Sequence, residues 1–208
     1  MKKTIFILIA FISLNAMAQT KYQIGMEKAF ELRKSEKPWE AANLFERIGQ
    51  ADGDNWLPPF YVAQINIFNS FNEKDKEKMV AQMNKARDFL NDSKAMTENN
   101  PEIIVLEAQL LTAWVVYDGQ QYGMKYSAKI AELYQKAFEI APENPRVVLG
   151  KAQWDIGTAK FFGQPTDGYC ADIQKAIDLF AAEEPAAEFY PSGGGEYAGQ
   201  VLKENCEK

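Results

Sequence analysis

The most chemically suggestive residues in this 208-residue chain are glutamines that recur at a fixed interval. Gln64, Gln109 and Gln153 each follow an alanine directly and stand 45 and 44 residues apart. A carboxamide offers donors and an acceptor together, so amides repeated on equivalent elements are suited to binding a peptide backbone. They are equally suited to bonding neighbouring elements to one another, and both readings stay open here. A second group, Tyr117, Gln120, Tyr122 and Gln164, lies in two segments, 117–124 and 161–169. These share a Gly-Gln pair 44 residues apart, Gly119-Gln120 and Gly163-Gln164. Both segments set aromatic rings beside glycine and aspartate. That is a composition for a binding rim on a loop edge, and equally for ordinary turns that cover a core.

Other chemistry is restricted by composition. The chain contains no histidine, which removes histidine-based triads, HExxH zinc sites and the usual imidazole general base. Two cysteines cannot build a zinc site by themselves, and Asp118 and Asp167 lack the spaced acidic ladder of a calcium loop. No metal, no cofactor and no catalytic residue are therefore assigned. The formal net charge of −6 argues against nucleic acid as a partner. Gly193-Gly194-Gly195 lacks the lysine and hydroxyl residue of a phosphate loop and reads as a turn. Carboxylate chemistry needs no histidine, and Glu107 and Asp155 fall on the same elements as the glutamines, so a glycan hydrolase stands as an alternative. The repeat singles out no carboxylate pair.

The amino terminus gives an address. Lys2 and Lys3 form a positive start, Ile5 to Leu14 an apolar run, and Ala16-Met17-Ala18 a small-residue cleavage site. This is the pattern of a secretory signal peptide, residues 1–18, which leaves a single domain over 19–208. The apolar run is shorter than the ~20 residues that span a bilayer, so no stable membrane insertion is expected after cleavage. The expected location is the periplasm or the exterior. An exported chain reaches an oxidising compartment, and Cys170 and Cys206 are the one pair available. They are expected to form a disulfide.

The glutamine interval belongs to a longer repeat. Aligning Asn55, Asn100, Asn144 and Tyr190 places alanine eight residues later in every copy, at Ala63, Ala108, Ala152 and Ala198. Fourteen residues before the anchors stand Ala41, Ala86, Ile130 and Ala176, and ten before stand Phe45, Leu90, Tyr134 and Phe180. Apolar residues such as Ala41, Leu44, Phe45 and Ile48 follow the i, i+3, i+4, i+7 spacing of an amphipathic helix. Asparagine at the anchors supplies an N-cap, and Pro101 and Pro145 occupy the first helical turn, where a missing N–H costs nothing. The pattern predicts helices near 22–35, 38–50, 57–71, 75–91, 101–117, 126–141, 145–161, 169–183 and 194–205, with no sheet. The expected fold is all-α, an α-solenoid of antiparallel helix pairs with a period of about 45 residues.

The units resemble the tetratricopeptide repeat (TPR) family. Ala41-x3-Phe45 and Ala176-x3-Phe180, and more loosely Ala86-x3-Leu90 and Ile130-x3-Tyr134, match its second-helix signature. Ala137, Pro142 and Asn144 match the end of that helix. Ala63, Ala108 and Ala152 sit where the family keeps a small residue. The period is longer than the family's 34 residues, and HEAT-like units are the architectural alternative. The resemblance implies a non-catalytic scaffold or adaptor that binds a peptide or protein partner of the cell envelope. A small-molecule carrier using the aromatic segments is a further alternative.

Overall fold

The computed structural model describes residues 21–206. The signal-peptide reading of residues 1–18 lies outside them. Among the described residues there are nine α-helices and no strand. They are α1 (21–34), α2 (Pro38–Ala51), α3 (Leu57–Ser70), α4 (Lys76–Met96), α5 (Pro101–Tyr117), α6 (Gly119–Ile140), α7 (Pro145–Phe161), α8 (Cys170–Ala181) and α9 (Gly195–Cys206). A single 3-10 turn, Asp167–Tyr169, precedes α8. Consecutive helices pack as antiparallel pairs, and α3, α5 and α7 also touch one another in series. The fold is the expected all-α stack.

The asparagine anchors occupy matching places. The side-chain Oδ1 of Asn55, Asn100 and Asn144 accepts from the backbone N–H two residues on, at Leu57, Glu102 and Arg146, over 3.0, 3.0 and 2.9 Å. Each bond satisfies a donor that the first helical turn leaves orphaned. The repeated alanines are fully or almost fully buried where paired helices approach most closely. Gly150 plays the same part against Tyr134, whose ring carbon would lie 2.7 Å from an added Cβ. The core lies along the stack as three clusters, from Met26 and Phe45 through Ile130 to Ile173 and Val201, with half-buried Tyr126 and Phe138 each packed against two of them.

Two helices are longer than the periodicity predicts. The segment 117–124 is not a loop: α5 and α6 are joined by Asp118 alone, whose side chain caps α6 by accepting from Gln121 N–H at 2.9 Å. Tyr122 and Tyr126 then extend the Ile130 stripe by two turns at i, i+4 spacing, and Gly123 interrupts nothing. In α4, Ser93 continues the buried face beyond Leu90. Its hydroxyl donates to the carbonyls of Phe89 and Trp56 at 3.1 and 3.2 Å, which lets a polar residue sit in an apolar stripe.

The connection between α8 and α9, residues 182–194, is the main departure from a simple stack. It leaves α8, runs along the amino-terminal ends of α7, α5 and α3 as far as α1, and returns to Gly195. Gln23 of α1 bonds Glu188, and Tyr22 and Phe30 of α1 contact Phe189. Six residues out from Glu183 reach at most ~20 Å, about two helix spacings at ~8–10 Å each. The strap therefore bridges the last hairpin to the first. Cys170 and Cys206 are joined, with Cα atoms 5.9 Å apart, and the bond fastens α9 to the start of α8.

Candidate functional site

Two surfaces stand out, at opposite ends of the parallel helices α3, α5 and α7. Helices of 17 residues such as α5 and α7 separate their ends by ~25 Å.

The first surface lies at the carboxy-terminal ends. Large apolar residues recur where α3, α5 and α7 finish: Phe71 and Val116 stand 16 residues after Asn55 and Asn100, Tyr117 and Phe161 stand 17 after Asn100 and Asn144, and Phe162 follows. Because the three helices pack side by side, these positions share one edge of the stack. Val116 is 65% and Phe161 83% exposed, and the Phe161 and Phe162 rings meet edge to face at 5.1 Å. Met124, on the first turns of α6, is 99% exposed. Behind this rim Tyr122 stacks on Tyr126 at 5.7 Å and leans on Trp114 at 5.0 Å. Lys125 lies over the Tyr126 ring at 4.9 Å, and Lys160, beside Phe161, donates to Asn205 at 2.6 Å. An apolar edge of this kind, contributed by three successive modules, is the mark of a contact surface.

The second surface is the groove under the strap. Phe189 stacks against Phe30 at 5.8 Å and edge-on to Tyr22 at 6.0 Å, while its carbonyl accepts from the Tyr61 hydroxyl at 2.7 Å. Tyr190 meets Trp56 edge to face at 5.5 Å. Beside them sits a buried charge cluster. Arg146 Nε donates to both oxygens of Glu102, at 3.0 and 2.8 Å, Asn144 donates to Glu102 Oε1 at 2.6 Å, and Arg146 Nη2 donates to Glu183. Glu102 is only 2% exposed. Burial alone would lower the Arg146 pKa, but the bonds to Glu183 and Glu102 outweigh it and raise the value. Burial pushes Tyr61 well above its ordinary range, the nearby Arg33 opposing it, and takes Tyr22 up to about 12.

The glutamines occupy equivalent places on α3, α5 and α7, all half-buried, but differ in use. Gln153 Nε2 donates to the Tyr197 hydroxyl of α9 at 2.7 Å, a bond between modules. Gln64 keeps a buried amide oxygen without a hydrogen-bond partner among the described residues. Tyr117 closes α5 at the apolar edge, Gln120 is exposed in the first turn of α6, Tyr122 is half-buried, and Gln164 is exposed in the turn after α7. Tyr117 and Tyr122 are thus brought to the edge region together, whereas Gln64 and Gln153 belong to the body of the stack. The recurrence of large apolar residues 16 and 17 positions after the asparagine anchors was available in the sequence and is the signal that identifies the edge. The aromatic part of the strap groove left no periodic trace.

The acidic candidates are engaged elsewhere. Glu107 accepts from Lys94 at 2.8 Å and lines a cleft of about 370 Å³ between α4, α5 and α6, whereas Asp155 pairs with Lys151 at 2.7 Å and does not line it. Three lysines and three glutamates balance one another around that cleft. Among the described residues no group of three or more His, Cys, Asp or Glu is placed to hold a metal ion. None of the described helices is long and apolar enough to cross a membrane.

No protein-family model matches the sequence, and no curated protein matches it. Solved structures do resemble it. The HusA haemophore from Porphyromonas gingivalis superposes with a TM-score of 0.76 and 22% identity, covering 88% of this chain and 92% of that one. A thermophilic TPR protein from Thermus thermophilus gives 0.59 and 15% identity over 90% and 92% of the two chains. These likenesses establish the fold: this is a TPR-like helical repeat protein, similar in architecture to a haemophore.

Proposed function

We propose that this protein is an exported, non-catalytic binding module whose cargo is a flat, largely apolar small molecule of the tetrapyrrole class. The cargo lies across the edge formed by Phe71, Val116, Tyr117, Phe161 and Phe162. The observation that carries this reading is the exposure of those side chains at the same helix ends in three successive modules. Large rings left in water cost free energy unless something covers them, at roughly 25 cal/mol per Å² of apolar surface. Lys160 precedes Phe161 and Lys125 follows Met124 in the chain, and these would meet the carboxylates of such a molecule. The shared architecture with a haemophore supports the class of cargo. Without histidine, an iron-bearing macrocycle would be gripped by its faces, with Tyr117 and Met124 the nearby side chains whose donor atoms suit haem iron. Export is consistent with the Cys170–Cys206 disulfide, which persists in an oxidising compartment.

Titration with haemin and with metal-free protoporphyrin, followed by the visible absorption band, tests the reading. Saturable binding of both is expected. The double variant Phe161→Ser/Phe162→Ser should weaken it at least tenfold with an unchanged melting temperature, since both rings face solvent. Failure of either molecule to saturate the native chain would end the cargo assignment.

A peptide or protein partner of the cell envelope is the second reading, favoured by the buried, unpaired amide oxygen of Gln64. Crosslinked capture from an envelope extract, compared between the native chain and Gln64→Ala/Gln109→Ala, separates the two.

A further inference from the structure

The strap occupies its groove as a bound peptide would. It contributes an irregular main chain that turns at residues 186–189, an acidic anchor at Glu183, and six residues later two consecutive aromatics, Phe189 and Tyr190. The groove supplies a ring pocket, Tyr22, Phe30 and Tyr61, an edge contact from Trp56, and a cation at Arg146. These complementary features come from α1, α3 and α7, with Trp56 immediately ahead of α3.

The occupant is held imperfectly. Residues 184–188 are exposed and form no helix. Phe189 adopts a left-handed backbone, φ 60°, a strained conformation for a residue with a side chain. Arg146 Nη1 is buried without a hydrogen-bond partner among the described residues, a deficit that a better-fitting acceptor would remove. What keeps the strap in place is its tether, which gives a flexible segment an effective concentration on the order of mM.

We infer that residues 183–191 are an internal occupant of a segment-binding groove. The external occupant is a non-helical segment of a partner protein carrying a carboxylate about six residues ahead of an aromatic pair. A partner free of the left-handed turn, and offering Arg146 a second acceptor, displaces the strap. This groove lies at the opposite end of α3, α5 and α7 from the apolar edge, and the inference does not rest on the cargo assigned there.

The test uses a labelled synthetic peptide of residues 183–194 and fluorescence anisotropy with the full-length exported chain. The variant Phe189→Ala/Tyr190→Ala vacates the ring pocket and is expected to bind the peptide saturably. The native chain, with its own strap in place, should bind at least tenfold more weakly. A peptide with both aromatics changed to alanine should not bind. A second variant, in which residues 184–190 become a Gly/Ser run of equal length, serves if the first loses its native circular dichroism. Absent binding to a folded variant, or equal binding of the native and alanine peptides, overturns the inference. A native-chain dimer that the double variant abolishes would assign the groove to a second copy's strap and overturn the partner assignment.

Discussion

Glu102 and Arg146 occupy the same position of successive modules, the second residue after the asparagine anchor, and they meet as a buried ion pair with Arg146 Nε 2.8 Å from Glu102 Oε2. A 44-residue repeat thus places opposite charges side by side at the ends of α5 and α7. Glu183 of the strap completes the cluster.

Removing one partner should cost far more than removing all. Arg146→Met leaves the buried Glu102 carboxylate and the half-buried Glu183 carboxylate without their cation and should lower stability by about 3–5 kcal/mol. Adding Glu102→Met and Glu183→Met should restore most of that loss, because no buried charge remains. Urea denaturation of the single and triple variants measures both. A loss below about 1 kcal/mol in the single variant would contradict the burial described here.

The disulfide closes a loop of 36 residues that contains the whole strap. Loop-entropy reasoning gives about 4 kcal/mol for a cross-link of this length, an upper figure if the open chain retains structure. Cys170→Ser/Cys206→Ser should therefore lower the denaturation midpoint substantially, and reduction of the native chain should reproduce the effect. Equal midpoints for the oxidised and reduced native chain would refute it.

Alkaline pH should unfold the protein through its buried tyrosines. Burial raises Tyr134, Tyr61 and Tyr22 above the ordinary value of 10.0, Tyr22 to about 12. A folded-state pKa above the unfolded one means that the unfolded chain releases protons first. The associated stability is complete below pH 10 and declines as pH rises towards 12 and beyond. Absorbance at 295 nm should show the buried tyrosines ionising only with loss of helicity. Tyr134→Phe should flatten the decline.

The parts of the fold that sequence reasoning reached are those with local causes. Asn55, Asn100 and Asn144 cap the next turn whatever lies elsewhere, and the alanines eight residues on report close helix packing. The early start of α6 was obscured because Asp118, Gly119 and Gly123 have turn chemistry, while the Tyr122–Tyr126–Ile130 stripe that overrides them depends on Trp114 being there to receive it. The pairing of Cys170 with Cys206 followed from their being the one pair available. The strap was invisible, since Phe189 touches α1 and α3 across more than a hundred residues and obeys no period. Of the candidate residues, Tyr117 lies at the exposed apolar edge and Tyr122 is half-buried behind it against Trp114, whereas Gln153 bonds Tyr197. The opposite charges of Glu102 and Arg146 in one column of the repeat were a legible sign of contact between modules.

Linear arrays of helical repeats ordinarily fray: a terminal unit can melt while the middle persists, because each unit touches only its neighbours. Here Phe189 sits among rings of the first helix, so melting α1 strips the strap of its pocket, and melting the last hairpin removes an aromatic ring from α1. The two extremities share one fate, and the chain gains all-or-none cooperativity that its modular architecture would not by itself provide.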